Sequence, residues 1–319
     1  MPTIDYTSED FPAGGRVANG ANRLAATWDD LLWAAVTVGR PNRQYVFQHG
    51  LASTYEALFR WSLVRMALEQ SGPRGWRFRR TDAARSLDPS EKGAINYFLG
   101  MATCKLFAAK LLNAPWLLHL DVFRPMLNPV LTGRSRPDLI GQTRSGQWLA
   151  FESKGRVSSP AADAKNKAKA QAQRCVRING TVVTYHIGGI TYFKNDVLEF
   201  FWRDPEPERG ERLREIDVEV ADEMWQHYYR PTLELISSDS QVLERMLREP
   251  ILMDLHDLDI QIGVWPPVLK FLVENEWAAG KQLCIQHHGE IDAGYQPDGI
   301  RVVAGRTWLE PFREYEATQ

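Results

Sequence analysis

The stretch Arg136–Arg156, RPDLIGQTRSGQWLAFESKGR, constrains this chain more than any other. Two apolar runs, Leu139-Ile140 and Trp148-Leu149-Ala150-Phe151, are joined by the polar Gln142-Thr143-Arg144-Ser145-Gly146-Gln147. Short β runs separated by a Gly-containing loop read as a hairpin. A hairpin puts Asp138 and Glu152 on neighbouring strands, where facing side chains sit about 5 Å apart. Two carboxylates that close repel unless a hard cation such as Mg²⁺, which prefers oxygen ligands, lies between them. Glu152 and Lys154 are two apart on one strand and so share a face. The ammonium then stands beside the cation, where it orients a water or offsets charge on a phosphate. Such a set suits metal-assisted phosphodiester hydrolysis.

The neighbouring sequence supplies a frame for that hairpin. Asp88-Pro89-Ser90-Glu91 opens a helix, with Asp88 as N-cap, Pro89 in the first turn and Glu91 closing a capping box. That helix is expected to run to about Leu112 and to stop before Pro115. Next comes WLLHLDVF, Trp116 to Phe123, which reads as a buried strand. After the hairpin, the Ala-rich AADAKNKAKAQAQRCVR is a strong helix former. On it Lys167 and Gln171 share a face, as do Lys165 and Lys169. TVVTYHI and LEFFWRD then read as two further strands.

Pro137-Asp138 followed across a hairpin by Glu152-x-Lys154 resembles the signature of the PD-(D/E)XK nuclease superfamily, and the order helix, strand, hairpin, helix, strand over 88–203 matches its core. The resemblance implies an α/β fold with a restriction-endonuclease-like core, a mixed central sheet flanked by helices. It implies that Asp138, Glu152 and the carbonyl of Ser153 hold Mg²⁺, with Mn²⁺ able to replace it. Lys154 would position the attacking water, and Lys167 or Gln171 would touch the phosphate or that water. The family often draws a further acid from the helix before the first core strand. Glu91 is the candidate by position, although capping accounts for it without chemistry. No Tyr stands four residues after Gln171 or Gln173, so the RecB-like helix motif is not met.

Net charge is −2, which conceals a division. Residues 1–203 carry 27 Lys/Arg against 16 Asp/Glu, whereas 204–319 carry 11 against 24. A basic half joined to an acidic half suggests a polyanionic partner for the first. Between 134 and 177 ten basic residues stand against three acidic ones. Arg134, Arg136, Arg156, Lys165, Lys167, Lys169 and Arg174 are accordingly the candidate nucleic-acid contacts, with DNA favoured over RNA. A second basic run, RGWRFRRTDAAR, interleaves Arg74, Arg77, Arg79, Arg80 and Arg85 with Trp76 and Phe78. It suits a phosphate backbone as well as it suits a solvated strand.

Beyond this core, residues 1–20 read as a flexible tail and 21–87 as a helical region, with helices over 26–39 and 51–70. The Pro/Glu stretch from Asp204 to Pro207 opens an acidic α+β region over 204–319. There 219–249 is expected to be helical but interrupted at Pro231, 264–278 to be a further helix, and Asp298-Gly299 to turn a hairpin. His287-His288 and His256 are read as surface groups rather than metal ligands. The acidic region is expected either to pack on the core or to lie over the basic groove as a lid or protein-partner face.

The remaining composition narrows the class. Hydrophobic residues make up 44% of the chain, which excludes a disordered protein. No apolar run reaches the roughly 18 residues needed to span a bilayer. Three separated cysteines form no disulfide frame or zinc knuckle, so the expected compartment is the cytoplasm. The function these readings give is a metal-dependent endonuclease, of the kind used in restriction or phage defence. The alternatives are a non-cleaving binding module on the same fold, or a ribonuclease toxin. Cutting both strands of a duplex with one site per chain would call for a homodimer.

Overall fold

The computed structural model describes residues 1–40, 51–70, 76–123, 136–204, 216–287, 294–310 and 312, with the main chain alone at 51–53 and 169. Strands β1 (Thr3–Glu9) and β2 (Gly20–Ala25) precede helices α1 (Trp28–Thr37) and α2 (Leu51–Ala67). Short strands β3 (Leu68–Gln70) and β4 (Phe78–Arg80) lead to α3 (Asp82–Ser86) and α4 (Pro89–Leu112). Strand β5 (Trp116–His119) and the hairpin β6 (Leu139–Gln142) and β7 (Trp148–Gly155) follow, then α5 (Ala162–Ala172). The next strands are β8 (Cys175–Ile178), β9 (Thr181–Val182), β10 (Tyr185–Lys194) and β11 (Val197–Arg203). The rest forms β12 (Ile216–Val218), α6 (Gln226–Ile236), α7 (Ser240–Met246), β13 (Met253–Leu255), β14 (Ile260–Val264), α8 (Pro266–Val273), α9 (Trp277–Gln286) and β15 (Ile300–Ala304).

A mixed sheet in the order β2-β1-β11-β10-β7-β6-β5 forms the centre, with β4 and β3 attached at β11. The chain is thus α/β, with helices α4 and α5 packed against β7 and β10. Strands β5, β6 and β7 are successively antiparallel, β7 and β10 are parallel, and β10 and β11 are antiparallel. Parallel pairing needs a crossover, and α5 lies within the connection between β7 and β10. Phe107 on α4 meets Phe200 at 4.2 Å between ring centroids and Trp202 at 5.7 Å. Full burial of one such ring contributes about 1.5–3 kcal/mol. Under α5, Ala164 joins Ile190, Tyr192 and Phe201 in a smaller cluster.

Helix α4 is set by its ends. Asp88 accepts from the amides of Ser90 and Glu91, while Glu91 accepts from the amide of Asp88 at 3.2 Å. At the C-terminus Asn113 closes the helix with a left-handed φ of 57°. The middle of α4 comes so close to β7 that a Cβ on Gly155 would lie 1.7 Å from the Asn96 carbonyl oxygen. Only glycine fits there. Gly146, at φ 84°, turns the β6–β7 hairpin, and Thr143 accepts the Gly146 amide and donates its own amide to Gln147.

Several expectations are corrected. The first residues are not a tail: Ile4, Tyr6 and Ser8 are buried, and β1 lies parallel to β11 with Asp5 opposite Glu199. The region 21–87 contains α1 and α2 as expected, but also β2, β3 and β4. WLLHLDVF is a strand only to His119, because β6 offers partners from Leu139 to Gln142 alone; Leu120–Phe123 then turns as a 3₁₀ helix. Helix α6 runs through Pro231, and the break falls further on, where Asp239 caps α7 by accepting from Gln241 and Val242. The segment 264–278 holds α8 and the start of a separate α9. Asp298-Gly299 does not turn a hairpin either, since β15 pairs with the distant β14.

The acidic region is built into the molecule rather than laid over it. Asp298, fully buried, accepts from Trp33 Nε1 on α1 at 2.9 Å and from Tyr228 Oη on α6 at 2.5 Å. Lys105 of α4, also fully buried, donates to the same Tyr228 oxygen. Lys281 of α9 donates to Gln142 of β6 and lies 4.1 Å from the centre of the Trp225 ring. The reading of 204–319 as a detachable lid is set aside by these contacts. No helix among the described residues is long and apolar enough to cross a membrane.

Candidate active site

Hairpin register brings the expected groups together. Leu139 lies opposite Phe151, and extending that ladder by one residue sets Asp138 across from Glu152. The Asp138 amide donates to the Phe151 carbonyl at 2.9 Å, and the Ser153 amide donates to Asp138 Oδ2 at 2.9 Å. One carboxylate oxygen is therefore held by main chain. Lys154 Nζ donates to Glu152 Oε1 at 2.7 Å and to Gln171 Oε1 at 2.9 Å. Gln171 reaches it from the last turn of α5, whose Ala164, Ala168 and Ala172 are buried.

Glu152 is 3% exposed, and its second oxygen, Oε2, is buried without a hydrogen-bond partner among the described residues. An orphaned carboxylate oxygen of this kind is costly. Burial, and then the neighbouring charge of Asp138, push the Glu152 carboxyl up to about 8, against the pull of Lys154. Burial likewise raises Asp138 to about 6, opposed by the Ser153 amide and Lys154. Both oxygens would gain from a hard cation, which restores the charged forms and fills the vacant contact. Among the described residues no three His, Cys, Asp or Glu side chains gather as a ready cage. The donor set is two carboxylates and main-chain oxygen, which fits a cation that keeps several waters.

Around this centre lie groups that sequence reading passed over. The Asp121 amide donates to His119 Nδ1 at 3.2 Å, which leaves the ring proton on Nε2, 3.4 Å from Tyr97 Oη. Burial lowers His119 to about 4, so it is neutral at physiological pH. Burial raises Tyr97 to about 12, with Asp138, Asp121 and Glu152 adding to the rise, so the hydroxyl keeps its proton. The signal was present as His119-x-Asp121, but a continuous apolar run concealed the turn that presents it.

The remaining candidates divide. Glu91 is exposed and engaged in its capping box, and among the described residues no contact draws it to the carboxylates. Arg136 pairs with Asp121 at 2.7 Å instead of standing open to solvent. Arg156 and Lys167 are exposed, as a nucleic-acid contact requires. Lys165 lies 3.7 Å from the centre of the Phe201 ring and 3.4 Å from Glu9, so it packs against the sheet. Arg174 is buried, 9% exposed, beside the start of β8, and is not a surface contact. Arg134 lies outside the described residues, as does the side chain of Lys169. In the second basic run, Arg77 pairs with Asp5, Arg80 with Asp196, and Arg85 with Asp82 and Asp196. These pairs offset the charges of Arg77, Arg80 and Arg85; Arg74 lies outside the described residues.

No family model, curated protein or solved structure matches the chain.

Proposed function

We propose that this chain is a Mg²⁺-dependent nuclease, hydrolysing phosphodiester bonds in the manner of the PD-(D/E)XK superfamily that its hairpin resembles. The observation that carries the reading is the Lys154 ammonium held between Glu152 and Gln171, with Asp138 across the hairpin and Glu152 Oε2 unsatisfied. The succession of α4, β5, the β6–β7 hairpin and α5 in a mixed sheet supports this reading. Asp138, Glu152 and the Ser153 carbonyl would hold the cation, which when bound lowers the pKa of a water and offsets charge on phosphoryl oxygens.

The side chains of this chain do the rest. Ser153 fixes Asp138 through its amide, so the carboxylate cannot turn away. Lys154, oriented by Gln171, supplies a positive donor where a water or a phosphate oxygen would lie. DNA is the substrate and host defence the setting that the resemblance to restriction-type nucleases suggests.

The test is cleavage of a panel of single- and double-stranded DNA and RNA, with and without EDTA. Glu152→Ala and Lys154→Ala should each lower the rate by about a hundredfold or more, with thermal unfolding no earlier than in the wild type. Mg²⁺ or Mn²⁺ should restore the EDTA-treated protein. Wild-type rates in folded Glu152→Ala would sink the assignment. Tight binding with no cutting would make the protein a binding module.

A further inference from the structure

Large aromatic rings are exposed on one side of the molecule in a connected series. On α2, Tyr55 is 64% exposed and Phe59, one turn later, is 50% exposed. Phe59 meets Phe98 of α4 edge to face at 5.6 Å, and Phe98 meets Tyr97 at 5.4 Å. Tyr97, itself 39% exposed, ends the series beside His119. The solvent face of a helix is ordinarily polar, so a stripe of rings there is an anomaly that folding does not explain. Exposed apolar patches of this kind mark binding sites. The Arg60 guanidinium lies 5.5 Å from the Phe98 ring centre, fixed in place by Glu56. That guanidinium is itself buried and supports the ring from beneath.

We propose that this ridge is a stacking platform for the unpaired bases of a single-stranded nucleic acid, which it leads toward the Asp138–Glu152 carboxylates. The inference rests on the nuclease reading and names its substrate class. Three features select this occupant. The series ends at the hydrolytic centre, so whatever lies along it is carried to that centre. Every base has a π-face, and stacking on exposed rings is sequence-tolerant. In a duplex those faces are already covered by neighbouring bases, so a paired strand gains nothing from Tyr55 or Phe59. Tyr97 would contact the nucleotide nearest the carboxylates, its proton available because His119 donates to its oxygen rather than accepting from it.

The experiment uses the full chain carrying Glu152→Gln, so that binding is measured without cutting, in Ca²⁺ and at fixed salt. Anisotropy of short labelled single strands of DNA and RNA is compared with that of the matching duplexes. Single strands should bind more tightly than duplexes. Tyr55→Ala with Phe59→Ala should lower single-strand affinity by about tenfold per ring while leaving duplex affinity unchanged. Phe59→Trp, which keeps a ring, should retain it. Tyr55 is largely exposed and Phe59 half-exposed, so the double variant should remain folded, as thermal unfolding would check. A duplex preference, or an unchanged single-strand affinity in the double variant, would overturn the platform. If the wild-type protein cuts no polynucleotide yet shows ring-dependent single-strand binding, the platform stands and the nuclease reading falls. If Glu152-dependent cutting is present and indifferent to the rings, the reverse holds.

Discussion

Between the pH at which a glutamate ionises in an unfolded chain, near 4.5, and the pH near 8 at which Glu152 ionises in the fold, the native protein holds a proton the unfolded chain has released. Stability of the cation-free protein should therefore fall as pH rises through that window. Glu152→Gln should flatten this part of the profile, as read by urea unfolding at a series of pH values. Because a bound cation must displace those protons, the thermal shift produced by Mg²⁺ should be larger at pH 8 than at pH 6. A shift independent of pH would mean the cation binds elsewhere. At this scale the sequence was informative where chemistry is local. Asp138, Glu152, Lys154 and Gln171 were legible because a two-residue strand repeat and a four-residue helix repeat fix which side chains share a face. Asp121 and Arg136 were not, because their pairing depends on where β5 runs out of partner strand.

Helices and strands were recognisable where their ends carry chemistry of their own. The capping box at Asp88 and Glu91 marked the start of α4, and the structure shows the same carboxylate closing it. On the nuclease reading, Glu91→Gln should preserve cutting, since Gln can serve the same cap; a folded but inactive variant would return Glu91 to the proposed catalytic set. Two glycines near the middle and edge of this packing test the fit of α4 against β7. Gly155→Ala forces a methyl into the Asn96 carbonyl and should cost about 1–3 kcal/mol of unfolding free energy. Gly93→Ala, on an open face of α4 with nothing within 4 Å, should instead stabilise by about 0.5–1 kcal/mol. Opposite signs, one at the strand facing α4 and one within α4, would separate packing from propensity. The run WLLHLDVF misled because an apolar segment reads alike as strand and as buried turn. Pro231 misled because a proline is a frequent helix breaker, yet here it is buried within α6.

Across the whole molecule, Asp298 ties together segments that local reading keeps apart. Its Pro-Asp-Gly setting suggested a surface turn, but Trp33, Tyr228 and the Ile300 amide all donate to it. Burial drives the Lys105 ammonium toward its neutral form, and the Asp298 charge opposes this. Asp298→Ala should cost about 3–5 kcal/mol, because it removes the charge that balances Lys105 and leaves the Trp33, Tyr228 and Ile300 donors without their acceptor. Deleting 204–319 should give an insoluble or unfolded fragment rather than a faster nuclease; a soluble, active truncation would show the region to be dispensable. The charge imbalance between the two halves was plain in the sequence. The interlocking of those halves was not, since it rests on partners such as Trp33 and Asp298 that are distant along the chain.

The parallel pairing of β1 with β11 also sets an order in time. As the chain leaves the ribosome at about 5–20 residues per second, β1 can find β2 at once, but its other neighbour emerges on the order of ten seconds or more later. Until then Ile4 and Tyr6 lack the strand that shields that edge, and a nascent molecule is open to pairing with another. The two acids of the hairpin, by contrast, are synthesised together. A half-made chain would thus hold the hairpin on an unfinished sheet, and completion of that sheet would wait on the pairing of β1 with β11.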